Sequence, residues 1–124
     1  MALHGGTPLQ AMARAWLAAF NARDLEGLLR LYADHAVHTS PKLRARDPAT
    51  GGKVRGKAAL RGWFADAFER LPGLHYEPLH LTAQGHRVFL EYRRTVPGEA
   101  PYVVAEVLVT GNDGLIAESF VFHG

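Results

Sequence analysis

The chain has 124 residues, 48% of them hydrophobic and 21% charged, with 13 Gly, 7 Pro and no Cys, a composition that describes one globular domain rather than two. The lack of cysteine excludes disulfide frameworks, thiolate zinc sites, iron–sulfur clusters and cysteine nucleophiles. Lys and Arg outnumber Asp and Glu by 14 to 12, a net charge of +2 that gives no electrostatic case for nucleic acid or an anionic membrane. A single domain over 1–124 of this size buries enough surface to fold without a metal or cross-link. Met1 to Gly6 has no basic start leading into a long apolar run, and no stretch approaches the ~18 apolar residues of a membrane span, so a cytoplasmic protein is expected.

The first half reads as helices. Thr7-Pro8-Leu9-Gln10 offers an N-cap hydroxyl, a proline at the first helical position and a glutamine three residues after the cap, the pattern of a capping box. Met12, Trp16, Ala19 and Phe20 then recur at helical spacing, which predicts a helix over about 8–22. Asp24 can cap a second helix with Leu25, Leu28, Leu29 and Tyr32 as its apolar stripe, weakened but not forbidden by Gly27. A β-prone alternation covers 36–40 and stops at Pro41. The polar stretch 42–56, with Asp47-Pro48 and Gly51-Gly52, reads as a loop. A third helix follows over 57–70, with Leu60, Trp63, Phe64, Ala67 and Phe68 inside it and Leu71-Pro72-Gly73 ending it.

The second half reads as strands. Segments 75–82, 86–96, 102–110 and 115–123 are rich in β-branched and aromatic residues and are joined by short glycine-containing links. Such links predict an antiparallel meander. Helices followed by a sheet imply an α+β domain with the helices on one sheet face.

Several motifs carry less than they promise. Gly51 to Lys57 satisfies the G-x4-G-K part of a phosphate loop, but Ala58 stands where the magnesium-binding hydroxyl belongs and no buried strand immediately precedes Gly51. His35 and His38, three apart on a strand, point to opposite faces, and His75 and His80 are also oddly spaced, so no metal site is expected. Ser40 and Ser119 lie outside any G-x-S-x-G elbow, which disfavours a serine nucleophile.

Glu106 is different. It sits in Val103-Val104-Ala105-Glu106-Val107-Leu108-Val109, apolar on both faces, and a buried carboxyl without a cation keeps its proton at neutral pH. Such a group can act as general acid or donate to a developing oxyanion; the alternative is a Glu on a solvated face or one paired with an arginine. In strand 86–96, Phe89, Glu91 and Arg93 share one face while Val88, Leu90, Tyr92 and Arg94 share the other. Either Glu91 or Tyr92 can lie opposite Glu106, and convergence of Glu91, Arg93 and Glu106 would neutralise one carboxylate and leave the other free to titrate.

The order of elements, with Leu31-Tyr32-Ala33-Asp34 before the first strand, Gly56 before the third helix and the turn Asp113-Gly114-Leu115-Ile116, resembles the nuclear transport factor 2-like superfamily, most of all its SnoaL-like and ketosteroid-isomerase-like branch. The resemblance covers about Ala11 to His123 and implies a cone-shaped, curved antiparallel sheet packed on three N-terminal helices, the cystatin-like architecture. Fold alone does not fix the reaction. Ketosteroid isomerases of the family place an Asp base, a Tyr and a protonated Asp where this chain has Ser40, Trp16 and Glu106, so the steroid double-bond shift by the family route is not expected. The resemblance places His38, two residues before Ser40, to serve as base, with Glu106 as acid and Ser40 beside them. It also places Trp16, Phe20, Trp63, Phe64 and His123 on the pocket wall, and Phe89, Glu91 and Arg93 of strand 86–96 are expected to line the pocket beside Glu106. The expectation is a pocket protein for a small, largely apolar metabolite with a carbonyl or hydroxyl, acting as an isomerase, cyclase or dehydratase by proton transfer without cofactor or metal. The alternative is a non-enzymatic ligand-binding or homodimerisation module. A homodimer is the expected assembly.

Overall fold

A computed structural model describes residues 7–123; the reading of Met1 to Gly6 lies outside the described residues. Helix α1 (Pro8–Ala22) opens as expected: Gln10 N–H donates to the Thr7 hydroxyl at 3.1 Å and Thr7 N–H donates to the Gln10 side chain at 3.0 Å. Both bonds satisfy N-terminal donors that the helix itself leaves open. Helix α2 (Leu25–Leu29), capped by Asp24, is only one turn long. Tyr32 therefore does not extend its stripe but opens strand β1 (Tyr32–Thr39).

The segment 42–56, expected as a loop, is mostly structured. Helix α3 (Pro41–Arg46) follows Ser40 as N-cap, a 3-10 turn covers Pro48–Thr50, and strand β2 (Lys53–Arg55) pairs antiparallel with β1. The phosphate-loop look-alike is thus a turn glycine, a strand and Gly56, the residue that caps helix α4 (Lys57–Arg70).

Strands β3 (His75–Gln84), β4 (Arg87–Thr95), β5 (Tyr102–Thr110) and β6 (Ile116–His123) form the expected meander. The six strands run in the order β2-β1-β6-β5-β4-β3. One pair departs from the antiparallel expectation: β1 lies parallel to β6, so the sheet is mixed. A parallel neighbour needs a long crossover, and here the rest of the domain supplies it.

Apolar parity fixes which sheet face meets the helices. Along β4 burial alternates strictly, with Val88, Leu90, Tyr92 and Arg94 buried and their neighbours exposed. Cross-strand partners share a face, so three rows line the inner surface: Val88 with Leu108 and Ser119, Leu90 with Glu106 and Val121, and Tyr92 with Val104 and His123. Helix α1 packs Trp16 and Phe20 onto this face, where Trp16 lies 5.9 Å from Tyr92 and Phe20 lies 5.0 Å from Tyr76 between ring centroids. Phe64 from α4 closes against Phe20 at 5.5 Å.

Candidate functional site

The inner rows end in polar groups that an all-apolar core would not need. Glu106 is only 2% exposed. Its Oε1 accepts a hydrogen bond from the Tyr92 hydroxyl at 3.1 Å, while Oε2 is buried and has no hydrogen-bond partner. Burial pushes the carboxyl up to about 8, with the Tyr92 hydroxyl pulling weakly the other way. Among the described residues no arginine pairs with it, so at pH 7 the group is mainly the neutral acid.

His38 stands beside it because of the parallel pair. Register puts His38 next to Ser119, and the imidazole Nδ1 lies 2.7 Å from the Ser119 hydroxyl and 3.8 Å from Glu106 Oε2. The second distance is too long for a hydrogen bond. Burial pushes the His38 imidazole down to about 4, so both groups are neutral near pH 7 and their approach is not an ion pair.

A buried hydroxyl sets the imidazole tautomer. Trp16 Nε1–H donates to the Tyr32 hydroxyl at 2.9 Å, an indole nitrogen being a donor only. Ser119 is fully buried, and His38 Nδ1 lies within hydrogen-bond distance of its hydroxyl. Donation from Ser119 to Nδ1 uses that proton, whereas the reverse strands it in a buried hydroxyl. The assignment by donor count leaves the His38 proton on Nε2, so the ring offers an N–H to the pocket.

The pocket between sheet and helices encloses about 340 Å³. Trp16, Phe20, Trp63, Phe64 and His123 line it, together with His38, Ser40 and Glu106. The expected Phe89, Glu91 and Arg93 do not. They occupy the outer face, where Arg93 pairs with Glu77 at 3.4 Å, Glu91 opposes Ala105, and Phe89 is 43% exposed. Tyr92 and Arg94 take their place in the pocket, and the residue opposite Glu106 is Leu90, neither Glu91 nor Tyr92. The signal was available: Val88 and Leu90 make their parity the apolar one, and parity alone assigns Tyr92 and Arg94 inward.

Two further expectations change in detail. Ser40 borders the pocket, but its hydroxyl accepts from Leu43 N–H as the cap of α3. Trp16 presents its ring, since its N–H is already spent on Tyr32. Sequence reasoning weighed Ser119 only as a nucleophile and Tyr32 only as a helix residue, and it missed the Tyr76, Lys42 and Arg46 contributions to the wall. His35 is exposed while His38 is buried, and among the described residues no three His, Asp or Glu converge on a possible metal position.

An α+β domain holding an aromatic-lined pocket with a buried acid in its wall is the class of protein that fold and site define. Residues 13–119 match the SnoaL-like domain, and the chain belongs to that family, within the nuclear transport factor 2-like superfamily. Among solved structures it is similar to a SnoaL-like protein of unknown function from Burkholderia thailandensis, at 27% identity and a TM-score of 0.85, with 94% of this chain and 95% of that one covered. TerC, co-crystallised with polyporic acid, matches at 22% identity and a TM-score of 0.80, with 95% and 92% covered. A candidate polyketide cyclase from Sinorhizobium meliloti matches at 19% identity and a TM-score of 0.75, with 90% and 94% covered. No match is found among curated proteins. Among the described residues no helix is long and apolar enough to cross a membrane.

Proposed function

We propose that this domain binds a small, largely apolar carbonyl compound and moves a proton on it without a cofactor, as an isomerase, cyclase or dehydratase does. The observation that carries this reading is Glu106 Oε2, buried in the pocket wall with no partner in the protein. A buried polar atom left unpaired costs free energy that a ligand can recover. A proton-transfer group also works best when its pKa lies near the working pH, and burial brings Glu106 there.

In this reading Glu106 is the proton carrier and His38 the polarising donor. The ionised Glu106 takes a proton from the carbon next to the carbonyl: the C–H bond breaks, an O–H bond forms on Oε2, and the electron pair moves to the carbonyl oxygen. His38 Nε2–H faces that oxygen and stabilises the charge as it develops. The new carboxylic acid then returns the proton to another carbon. The base role expected for His38 passes to Glu106, because the buried Ser119 hydroxyl supplies His38 Nδ1 with a donor. Ser40 is left with a structural role.

Hydrogen–deuterium exchange next to the carbonyl of 2-tetralone and related cyclic ketones, followed by proton NMR in D2O, tests the assignment. Glu106→Gln, which keeps the shape, is expected to lower the catalysed exchange by about 10²-fold or more. The wild-type rate is expected to climb with pH and level off near 8, as Glu106 ionises. The groups facing Glu106 are Tyr92, Tyr32, Tyr76 and His38. None of them changes charge between pH 6 and 9, since burial holds the phenols above that range and the imidazole below it. Exchange in Glu106→Gln equal to wild type contradicts the proposal.

The outer sheet face supports a second copy as partner. Phe89, Val103 and Phe122 are 43%, 40% and 54% exposed on adjacent strands of one face, an apolar patch of the kind that marks an interface. A homodimer through this face leaves the pocket on the opposite side.

A further inference from the structure

Resting on the pocket reading above, we infer that the ligand is an elongated aromatic acid, its carbonyl at Glu106 and His38 and its carboxylate held at the pocket's other end by Lys42 and Arg94. The Tyr102 side chain, behind that end, contacts both cations. Lys42 Nζ donates to its hydroxyl at 3.0 Å and stands 5.7 Å from the ring centroid, and the Arg94 guanidinium stands 5.1 Å from the same centroid. The His123 ring lies 6.1 Å from that of Tyr102. Two cations share one aromatic ring.

Their counter-charge is incomplete. Arg94 is 7% exposed, and its one carboxylate partner is the half-exposed Glu99 at 3.0 Å. The ion pairs among the described residues give Arg70 a partner in Asp66 but put no carboxylate against Lys42, nor against Arg46, which lies over Trp63. All four cations line the same pocket as Glu106. Glu99 on the same pocket wall offsets part of this positive charge, and a ligand carboxylate beside Lys42 and Arg94 offsets the rest. The planar guanidinium suits a carboxylate in particular.

Strand register gives the ligand its length. Glu106 and Tyr102 lie on the same strand, and at ~3.3 Å per residue their backbones are about 13 Å apart. The wall between the two ends includes Tyr92 and Val104 from the sheet and Trp63 from α4, which suits an aromatic body of two or three rings. A carboxylate and a carbonyl on the order of 10 Å apart then reach both ends at once.

The test uses 6-acetyl-2-naphthoate, which carries a ketone and a carboxylate at opposite ends, against its neutral primary amide. The chain has two tryptophans, Trp16 and Trp63, and both line the pocket, so their indole N–H signals in a nitrogen–proton correlation spectrum report occupancy directly. The acid is expected to bind at least tenfold more tightly than the amide at low salt, with the gap narrowing as salt rises. Lys42 is exposed, so Lys42→Met keeps the fold; it is expected to cut the preference to about threefold or less, and Lys42→Glu to reverse it. Arg94→Met is expected to do the same if it folds, but the test does not depend on it. Equal binding of acid and amide by the wild type overturns the inference and leaves the Glu106 reading standing. A tenfold preference that survives in Lys42→Met also overturns it. Failure of both compounds to move either indole signal at millimolar concentration overturns the pocket reading and the inference together.

Discussion

Glu106 and His38 depart from their ordinary pKa values in opposite directions for one reason: burial penalises whichever form is charged. The consequences for stability have opposite signs. For Glu106 the folded chain holds its proton up to about 8 while an ordinary glutamate releases it near 4.5. Its stabilising contribution is therefore complete below 4.5 and is lost as pH rises to 8, by at most about 5 kcal/mol. For His38 the folded chain stays neutral down to about 4 while an ordinary histidine protonates near 6.5, so that contribution is present above 6.5 and is lost on acidification. Between 4.5 and 6.5 the two slopes offset, and the net loss falls between 6.5 and 8. Glu106→Gln keeps the Tyr92 contact without the charge. Its thermal midpoint is expected to exceed the wild-type value by roughly 4 °C or more at pH 8.5, and to match it within about 2 °C at pH 4; an unchanged difference between the two pH values contradicts the account.

At the scale of elements, the site depends on two contacts that no single element contains. One is the turn after α4, where Gly73 has φ +79° and a Cβ there would lie 2.7 Å from the Pro97 ring, in the loop that also carries Glu99. Gly85, in the β3–β4 turn, has φ +61° and open space around it. Both lose backbone freedom on substitution, but only the first also meets a neighbour. Gly85→Ala is expected to cost about 1 kcal/mol and Gly73→Ala about 2–3 kcal/mol, read from urea midpoints at constant slope. The other contact is the β1–β6 pair, which joins His38 to Ser119 across 81 positions of sequence.

These elements also show what the sequence made legible. The first and last helices and strand β5 coincide with their expected ranges, since capping residues and periodicity are local signals. Helix α3 carries at 40–41 the same hydroxyl-then-proline signature that Thr7-Pro8 carries for α1, but a proline after a β-prone run also marks the end of a strand. The parallel pairing left no local mark, so Ser119 was visible as a residue and invisible as the partner of His38. Across the seven-residue stretch from Thr95 to Pro101, turn chemistry does not set the register, so a reading from turns leaves Glu91 and Arg93 free to face the pocket, although apolar parity points them out.

At the scale of the whole molecule, the sheet separates two jobs. Its inner face meets the helices around the pocket, while its outer face leaves Phe89, Val103 and Phe122 exposed. If the outer face joins two copies, Phe122→Asp is expected to shift the mass seen by light scattering from dimer to monomer without moving the Trp16 and Trp63 indole signals. A wild-type monomer at high concentration contradicts the dimer. The fold itself is shared with proteins as different as TerC and a candidate polyketide cyclase, so the reaction rests on the pocket residues. The proposed chemistry rests on a neutral carboxylic acid that the fold keeps in the pocket wall. Carbon-13 NMR of the Glu106 carboxyl, assigned by its loss in Glu106→Gln and followed from pH 3 to 10, tests it most directly. A midpoint near 8 is the expected result, and titration near the ordinary 4.5 would contradict it.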